Sequence, residues 1–326
     1  MKVGKRIIFI VGPTGTGKTE LALRLARICP AEILSADSMQ VYQGMDVGTA
    51  KPEAGLRRRI KHHLIDRVPP SRSYSIYKFR TEALKCIEDM VRRRRIPLVV
   101  GGSGLYIKAL LEGLTRYPPV KKTLRLALER KLRRQGVQAL VRQLERADPL
   151  AASRIDRANP RRVLRALELA LSTKMKCADR PVELPSLEQL GYEVLMFGLT
   201  MDRAALYQRV EGRVDEMFSK GWIREVKALR KKRMSRTARQ AIGYRELLAS
   251  KLTAQRPKHK VRPDVLQQEQ ARVTADIKKA TRHLVKRQGT WFRAMPGICW
   301  LDVSTAQAAE AAFCEIKRSV EAGHAH

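Results

Sequence analysis

Residues 7–26 read IIFIVGPTGTGKTELALRLA. The five apolar residues at the start are typical of a buried β-strand, and the apolar residues after the lysine recur at helical spacing. The pattern GxxxxGKT lies between them, where glycines allow the backbone to wrap around phosphate oxygens and a helix N-terminus directs amide groups at an anion. The stretch therefore predicts a phosphate-binding loop between a strand and a helix. Its residues are Gly12, Pro13, Thr14, Gly15, Thr16, Gly17, Lys18 and Thr19.

The two residues at the start of the helix indicate the kind of ligand. Lys18 provides a cation for a diphosphate or triphosphate, and the Thr19 hydroxyl is a ligand for a Mg²⁺ that accompanies the phosphates. A flexible glycine turn is the alternative interpretation of this segment, but it does not explain a lysine followed by a threonine at this place. We therefore expect a diphosphate or triphosphate site with Mg²⁺ as cofactor.

Two further strands are predicted near this loop. Residues 32–36 form a strand pattern that leads into Asp37, and residues 96–100 form another that leads into Gly101. In open α/β sheets ligands bind beyond the carboxyl ends of the strands, so we expect Asp37 to face the phosphate loop across a crevice. A helix N-cap or turn aspartate is the structural alternative at this position.

The end of the third strand lacks the acid that nucleotide hydrolysis uses. P-loop NTPases often carry an aspartate there, which organises Mg²⁺ and water. In this chain Gly101 and Gly102 take its place. Asp66 is the nearest substitute, either as that acid or as part of a strand-end turn. The phosphate loop is therefore expected to serve a reaction other than nucleotide hydrolysis.

The charge of the chain indicates the kind of partner. The 326 residues include 66 Lys and Arg against 32 Asp and Glu, a formal net charge of +34. Such an excess attracts polyanions. Only 5% of the residues are aromatic, which disfavours a platform that stacks extended single strands. Structured RNA is the expected partner, and solvated arginine-rich helix ends are the alternative explanation for part of the charge.

Composition also bounds the compartment. No stretch approaches the roughly 18 apolar residues that a membrane span needs, so no membrane partner is expected. The basic N-terminus leads directly into the first strand, and its removal as a signal peptide would destroy the phosphate loop. Five scattered cysteines favour a reducing compartment and disfavour a zinc module. We expect a cytoplasmic protein, and we expect it to be a monomer.

The order of patterns along the chain predicts one core and one insertion. Strand and helix patterns alternate at first and resume near the end, but the strand signal disappears between them, where 18 Lys and Arg stand against 8 Asp and Glu. We predict the α/β class, with a P-loop-type parallel sheet core of residues 1–115 and 191–326 and a basic helical insertion domain of residues 116–190. A last strand at residues 298–303 is expected to close the fold.

One helix of the insertion is well defined by its sequence. Asn159 is a suitable N-cap, and Pro160 suits the first helical position. Val163 and Leu164 belong to an apolar face, and three arginines lie on another side. Contact with RNA phosphates and a solvated basic face are both open interpretations of these arginines. They are Arg161, Arg162 and Arg165.

Together these motifs resemble the bacterial tRNA dimethylallyltransferase family, and the match runs nearly from end to end. Besides the phosphate loop, the most specific pieces are residues 35–42 (SADSMQVY), 45–52 (MDVGTAKP), 101–114, 240–245 (QAIGYR) and 286–293 (KRQGTWFR). Enzymes of that family transfer a dimethylallyl group from its diphosphate to the exocyclic amine of the adenosine immediately 3′ of the anticodon, in tRNAs that read codons starting with U. Two departures, Gly15-Thr16 for Ala-Ser and Ser103 for Thr, preserve small size or a hydroxyl.

The resemblance implies roles for individual residues. Dimethylallyl diphosphate would be the donor bound by the loop, with Arg213 as an additional clamp, and the tRNA anticodon arm would be the partner. The implied catalytic residues are Asp37 as proton acceptor, Ser103 as its orienting neighbour and Lys18 as stabiliser of the leaving diphosphate. The implied tRNA-binding residues are Asp37, Ser38, Met39, Gln40, Ser103, Arg125, Arg161, Arg162, Val163, Leu164, Arg165, Gln240, Ala241, Ile242, Gly243, Tyr244 and Arg245.

Three other functions compete with this one. An adenylate isopentenyltransferase would act on free adenine nucleotides, but the basic insertion and the charge of +34 disfavour it. A small-molecule kinase is disfavoured because no clear lid arginine cluster or phosphoacceptor signature appears. A non-catalytic RNA-binding module would leave Lys18 and Asp37 without a purpose.

Overall fold

In the computed structural model of the protein, the described residues are 5–117, 120–172, 182–254 and 262–322. The chain divides into two compact units, of which the first comprises Met1–Glu112 and Ser186–His326 and the second is Gly113–Pro185. Each unit has an apolar core of its own.

A parallel sheet of six strands forms the centre of the first unit. In chain order the strands of the protein are β1 (Arg6–Val11), β2 (Ala31–Ser35), β3 (His62–His63), β4 (Ile96–Gly101), β5 (Leu114–Arg116), β6 (Val182–Leu184), β7 (Glu193–Thr200) and β8 (Cys299–Asp302). The order across the sheet is β3-β2-β4-β1-β7-β8, and every pairing is parallel. This sheet confirms the predicted α/β class.

Helices cover both faces of this sheet. Those of the first unit are α1 (Lys18–Ile28), α2 (Ala54–Arg59), α3 (Ile76–Arg92), α4 (Gly104–Leu111), α8 (Arg203–Ser219), α9 (Trp222–Arg230), α10 (Arg236–Arg239), α11 (Tyr244–Ala249), α12 (Pro263–Arg293) and α13 (Ala306–Glu321). Within the described ranges, no helix has both the length and the apolarity to cross a membrane.

Alternate residues of β1 face two different apolar cores. Phe9 belongs to a core that includes residues of α3, α4, α9, α11 and α12, whereas Ile10 belongs to a core that includes residues of α1 and α13. Successive side chains of a strand point to opposite faces, so a strand covered on both sides has to be apolar throughout. This explains the uninterrupted apolar run before the phosphate loop.

The strand order places the phosphate loop at a crevice. The order reverses at β1, which pairs with β4 on one side and with β7 on the other. Connections leave such a point in opposite directions and open a crevice beyond the carboxyl ends of the strands. Val11, the last residue of β1, is in register with Gly101 of β4, so the phosphate loop and the glycines after β4 start at the same level.

The C-terminal helix corrects the expectation that the last strand closes the fold. α13 follows β8 and covers one face of the sheet, where Phe313 and Ile316 are buried and the Arg24 guanidinium lies 4.0 Å from the centre of the Phe313 ring. The helix is rich in alanine, so part of its buried stripe consists of small residues that a pattern of large apolar residues does not reveal. α12 precedes β8 and runs through Trp291 to Arg293.

In its described residues, 113–117, 120–172 and 182–185, the second unit contains helices and an antiparallel pair of short strands. Its helices are α5 (Lys122–Ala147), α6 (Pro149–Arg154) and α7 (Pro160–Ser172). α7 begins as predicted, since Oδ1 of Asn159 accepts hydrogen bonds from the backbone N–H groups of Arg161 and Arg162 at 3.2 and 3.3 Å. The expected loss of strand structure over residues 116–190 is wrong near its end, because β6 lies there and pairs in antiparallel fashion with β5, which ends at Arg116. Three-residue strands are too short to show a period in the sequence.

Replacing Gly243 with alanine should destabilise the first unit. Gly243 has φ +81°, and a Cβ there would overlap the Trp222 ring, so strain and overlap together should cost about 2–5 kcal/mol of unfolding free energy. Urea unfolding followed by circular dichroism measures the loss. Gly212→Ala is the matched control, because a Cβ at that helical position meets no atom within 4 Å, and it should be neutral or stabilising by up to about 1 kcal/mol. Equal stability of the two variants would contradict the proposed contact.

Candidate active site

A cavity of about 390 Å³ opens at the crevice beside the phosphate loop. Asp37 lies on its lining together with Lys18, as the sequence predicts for residues that follow parallel strands of one sheet, here β2 and β1 with β4 between them. Other parts of the lining come from the end of β4 and from α8 and α12. The sequence-predicted residues that line the cavity are Thr14, Gly15, Gly17, Lys18, Thr19, Asp37, Gln40 and Arg213.

The phosphate loop holds a buried lysine. Nζ of Lys18 donates to the carbonyl oxygen of Pro13 at 2.5 Å, and the Thr16 hydroxyl donates to the same oxygen at 3.0 Å. Gly12 has φ +134°, and a Cβ there would lie 2.6 Å from the carbonyl oxygen of Leu199, so only glycine allows the loop to leave β1 in this direction. These contacts fix the ammonium group at the centre of the loop.

Two cations stand close together in this cavity. Burial, and then the neighbouring Arg213, lower the pKa of Lys18 to about 7, whereas Asp37 acts in the opposite direction. Burial also lowers the pKa of Arg213, which lies on α8. A depressed lysine pKa beside a second buried cation means that the charged form lacks compensation, and a bound anion raises the pKa again. The arrangement is suited to a ligand with more than one negative charge.

Asp37 is both a turn residue and a free acceptor. Its Oδ1 accepts hydrogen bonds from the backbone N–H groups of Met39 at 2.8 Å and Gln40 at 3.4 Å. One carboxylate oxygen therefore has the role of a turn aspartate, which is the structural alternative for this residue. In the part of the chain that the structure describes, nothing donates a hydrogen bond to Oδ2 of Asp37, and the residue lines the cavity. The carboxylate can hold the turn with one oxygen and accept a proton with the other.

Ser103 supports the turn that carries Asp37. Its hydroxyl oxygen accepts a hydrogen bond from the backbone N–H of Ser38 at 3.0 Å, and its own N–H donates to the carbonyl oxygen of Ala36 at 3.3 Å. Ser103 therefore contacts the residues on both sides of Asp37. The geometry agrees with an orienting role for the hydroxyl.

The side-chain amide of Gln40 makes hydrogen bonds within the protein. Its Oε1 accepts from the Ser35 hydroxyl at 3.0 Å, and its Nε2 donates to the carbonyl oxygen of Thr49 at 3.2 Å. Met39 is partly buried against the main core. These contacts close residues 37–50 into a compact loop, so the amide of Gln40 shapes the cavity wall.

Glu225 anchors this loop from α9, and its role is not apparent from the sequence. Its Oε2 accepts hydrogen bonds from the backbone N–H groups of Asp46 and Val47 at 2.7 and 2.8 Å, and Oε1 accepts from that of Gly48 at 3.4 Å. The Tyr244 hydroxyl donates to the same Oε1 at 2.5 Å. Burial and the adjacent carboxylate raise the pKa of Tyr244 well above its usual value, so the hydroxyl remains a donor.

The segment 240–245 supports the loop more than it lines the cavity. Ala241, Gly243 and Tyr244 are buried, and Ile242 is partly buried against the main core. A Cβ at Gly48 and one at Gly243 would each overlap the Trp222 ring, so this ring packs between the two backbones. The exposed residues of the segment are Gln240 and Arg245.

Asp66 belongs to a structural ion-pair cluster. Its carboxylate accepts from Nζ of Lys51 at 2.5 Å and from Nη1 of Arg57 at 2.7 Å, and the Lys51 side chain is almost fully buried. Lys51 also donates to Asp46 at 2.7 Å. The residue adopts φ +55°, which is typical of a tight turn. The turn interpretation of Asp66 therefore holds, and its oxygens are occupied.

The predicted RNA-binding residues of the second unit differ in exposure. Val163 and Leu164 are buried in its core, so their side chains anchor α7. Arg165 and Arg125 approach the buried carboxylate of Glu168, at 3.1 and 3.5 Å, and both remain about half exposed. Only Arg165 makes a hydrogen bond with it, since the carboxylate oxygen nearest Arg125 has none. The remaining arginines, Arg161 and Arg162, are exposed at the start of α7.

The cavity brings the cations Lys18 and Arg213 and the carboxylate of Asp37 to one lining, an arrangement suited to group transfer from a phosphorylated ligand. Two family models match the chain: the one described as IPP transferase matches residues 40–295, and the one described as isopentenyl transferase matches residues 5–68. The chain belongs to the IPP transferase family.

Individual relatives agree with this assignment. The chain is 41% identical over 308 residues to the tRNA dimethylallyltransferase of Thermomicrobium roseum. The match covers 93% of this chain and 88% of the relative. It is 38% identical over 302 residues to that of Rhodopirellula baltica, covering 90% of this chain and 86% of the relative.

Solved structures give the same picture. The full-length tRNA isopentenylpyrophosphate transferase of Bacillus halodurans matches with a TM-score of 0.65 at 34% identity, and the match covers 98% of both chains. A eukaryotic dimethylallyltransferase acting on tRNA matches with a TM-score of 0.74 at 26% identity, covering 97% of this chain and 78% of the other.

Replacing Glu225 with glutamine should loosen the loop that carries Asp37. The neutral amide is a weaker acceptor and keeps one oxygen for four donors, so we expect a loss of about 1–3 kcal/mol in unfolding free energy. Hydrogen exchange at the amides of Asp46 and Val47 should accelerate. Glu310→Gln is the control, because its exposed ion pair with Arg24 should contribute at most about 1 kcal/mol. Unchanged exchange at the loop amides would contradict the anchoring role.

Proposed function

We propose that the protein is a tRNA dimethylallyltransferase. It transfers the dimethylallyl group of dimethylallyl diphosphate to the exocyclic amine of the adenosine immediately 3′ of the anticodon, in tRNAs that read codons starting with U, and releases diphosphate. The observation that carries the proposal is the shared cavity, in which the buried ammonium of Lys18 and the carboxylate of Asp37 lie in a chain of the IPP transferase family.

The phosphate loop binds the donor by its diphosphate. Loop amides, Lys18 and Arg213 surround the anion, and the negative charge of the diphosphate restores the charged form of the lysine. Breaking the allylic carbon–oxygen bond leaves additional negative charge on the diphosphate. Preorganised cations that face this charge stabilise the transition state more than the ground state. No water has to be activated, which explains why glycines can follow β4.

The residues present fit a Mg²⁺ that arrives with the donor. The Thr19 side chain lines the cavity, and no group in the described part of the chain hydrogen-bonds its hydroxyl. Mg²⁺ keeps several waters and binds through few protein oxygens together with phosphate oxygens, and there it would neutralise part of the charge of the diphosphate. Thr19 is the proposed protein ligand.

Asp37 serves as the proton acceptor. The exocyclic amine of adenine is a weak nucleophile while its lone pair is delocalised into the ring. A carboxylate that accepts its hydrogen bond, and then its proton, favours attack as positive charge develops on the nitrogen. Oδ2 is suited to this task, while Oδ1 and Ser103 keep the turn in place.

The tRNA is bound by residues outside the cavity as well as by its rim. The adenosine has to leave its stack to reach the carboxylate, as in other enzymes that modify bases. Ser38, Met39 and the exposed residues Gln240 and Arg245 are proposed to contact the anticodon arm. The arginines of the second unit are proposed to bind phosphates, which orient the RNA without selecting its sequence. They are Arg125, Arg161, Arg162 and Arg165.

Transfer to a free nucleotide is the alternative that this proposal replaces. The relatives at 36–41% identity are named for tRNA, and the charge of +34 suits a polyanion. We further propose that the enzyme works in the cytoplasm, where its RNA substrate is, and as a monomer, since one chain provides every residue named for the cavity.

Asp37→Asn should abolish most of the turnover and leave binding intact. An amide cannot accept the amine proton, and loss of a general base lowers the rate by about 10² to 10⁴. Single-turnover rates with saturating tRNA measure the effect, and filter binding with tRNA measures the affinity. Asp215→Asn, at an exposed ion pair with Lys278, is the matched control. A rate for Asp37→Asn within about threefold of the wild type would return Asp37 to a purely structural role.

An anticodon stem-loop should be prenylated far better than AMP. Turning a base out of its stack costs a few kcal/mol, and contacts with the surrounding arm offset that cost. A mononucleotide offers the same amine without those contacts. The two acceptors are to compete for labelled dimethylallyl diphosphate, and a stem-loop with guanosine next to the anticodon is the control. Efficient prenylation of AMP with the stem-loop ignored would support the free-nucleotide enzyme.

A further inference from the structure

Among the cavity side chains that the mechanism above does not use, one joins two separate stretches of backbone. Gln288 lies on α12 and lines the cavity. Its Oε1 accepts a hydrogen bond from the backbone N–H of Thr14 in the phosphate loop at 2.8 Å, and its Nε2 donates to the carbonyl oxygen of Gly102 at 2.8 Å. A single amide therefore joins the phosphate loop to the segment that follows β4. The two partners fix the orientation of the amide, because Thr14 can only donate and Gly102 can only accept.

The backbone around this bridge is shaped to admit it. A Cβ at Gly102 would overlap Nε2 of Gln288, and a Cβ at Gly104 would overlap the ring of Trp291. Residues three apart on a helix lie on the same face, so both side chains of α12 reach the same turn. The two glycines thus allow α12 to approach the backbone directly, which leaves the amide little freedom to move.

The bridge continues to the proton acceptor. Ser103 follows Gly102 directly, and its hydroxyl accepts the N–H of Ser38, the neighbour of Asp37. Asp37 in turn holds the N–H of Met39 with Oδ1. An unbroken series of hydrogen bonds and peptide links therefore leads from the phosphate loop to Asp37. Gln288 is the member of the series that contacts the donor side and the acceptor side at once.

We propose that Gln288 is a positioning residue that sets the distance between the donor loop and the turn of Asp37. This inference rests on the proposed function and extends it. The allylic carbon is attached to the diphosphate, and the attacking amine is held at Asp37, so the spacing of the two backbones sets the distance of attack. A misplacement of about 1 Å in such a geometry can cost about a hundredfold in rate.

Two substitutions separate positioning from mere packing. Gln288→Met removes both hydrogen bonds with little change of volume. Gln288→Glu retains an acceptor for Thr14 but turns a charged oxygen toward the carbonyl oxygen of Gly102. A protonated carboxyl group reproduces the amide, since it has one acceptor and one O–H donor. Lower pH should therefore rescue the glutamate variant and leave the methionine variant unchanged.

The experiment measures single-turnover transfer to an anticodon stem-loop with both substrates saturating. At pH near 8 both variants should lose about 10- to 100-fold in rate, while the tRNA affinity stays within about threefold of the wild type. Gln270→Met, the same change at an exposed position of α12, is the control and should retain the wild-type rate. Thermal unfolding of each variant is followed in parallel.

The decisive readout is the ratio of variant to wild-type rate between about pH 8 and pH 5.5, a range in which a partly buried carboxyl group titrates. The ratio should rise at low pH for Gln288→Glu and stay flat for Gln288→Met. Other charged groups are common to all the proteins, so the ratio removes their titration. The titratable groups that line the cavity are Lys18, Glu20, Asp37, His62, Arg209, Arg213 and Glu216.

Two results are decisive against the inference. It is overturned if Gln288→Met keeps the wild-type rate, or if Gln288→Glu is not rescued at low pH. The second result decides even if the methionine variant does not fold, because the rescue is measured within a single variant. If the wild type itself transfers no dimethylallyl group to RNA, the proposed function fails. If the wild type is active and the Gln288 variants equal it, only the positioning role fails.

Discussion

A buried positive charge is the constraint on which this structure depends. Lys18 is enclosed by the phosphate loop with Arg213 beside it, and burial depresses its pKa to about 7. Charges removed from water are destabilising unless opposite charges compensate them. Asp37 compensates in part, from the end of β2, which β4 separates from β1, and a diphosphate is suited to supply the rest. The reversal of strand order at β1 is what brings all three side chains to one cavity.

The wall of the cavity that carries Asp37, opposite the phosphate loop, is held by contacts from distant parts of the chain. Glu225 gathers three backbone amides of the loop after Asp37, and Gln288 joins that side to the phosphate loop through Gly102. These contacts reach backbone groups, and glycines at positions 48, 102 and 243 provide the space. Asp37 is thus placed by α9 and α12 as much as by its own strand.

Local patterns in the sequence were enough for the phosphate loop, because all of its determinants are contiguous. The position of Asp37 followed from the general rule for parallel sheets. Glu225 and Gln288 could not be found this way, since they lie 179 and 274 residues from their partners, Asp46 and Thr14. The pairing of β5 with β6 also joins distant parts of the chain, and local patterns do not predict it. Helix α13 was not predicted because its buried stripe contains small residues.

The arginines of α7 and the carboxylate of Asp37 in the cavity differ in what they can recognise in an RNA, and this difference indicates where the base is selected. Phosphate contacts orient an RNA but do not identify a base, so on the proposed function the arginines of α7 contribute affinity alone. Selection then falls to the cavity. Adenine presents an amino donor at the position where guanine presents a carbonyl acceptor. A carboxylate oxygen attracts the first and repels the second, and Oδ2 of Asp37 is the oxygen that the turn leaves available. On the proposed function, the group that accepts the proton is therefore also the group that selects adenosine.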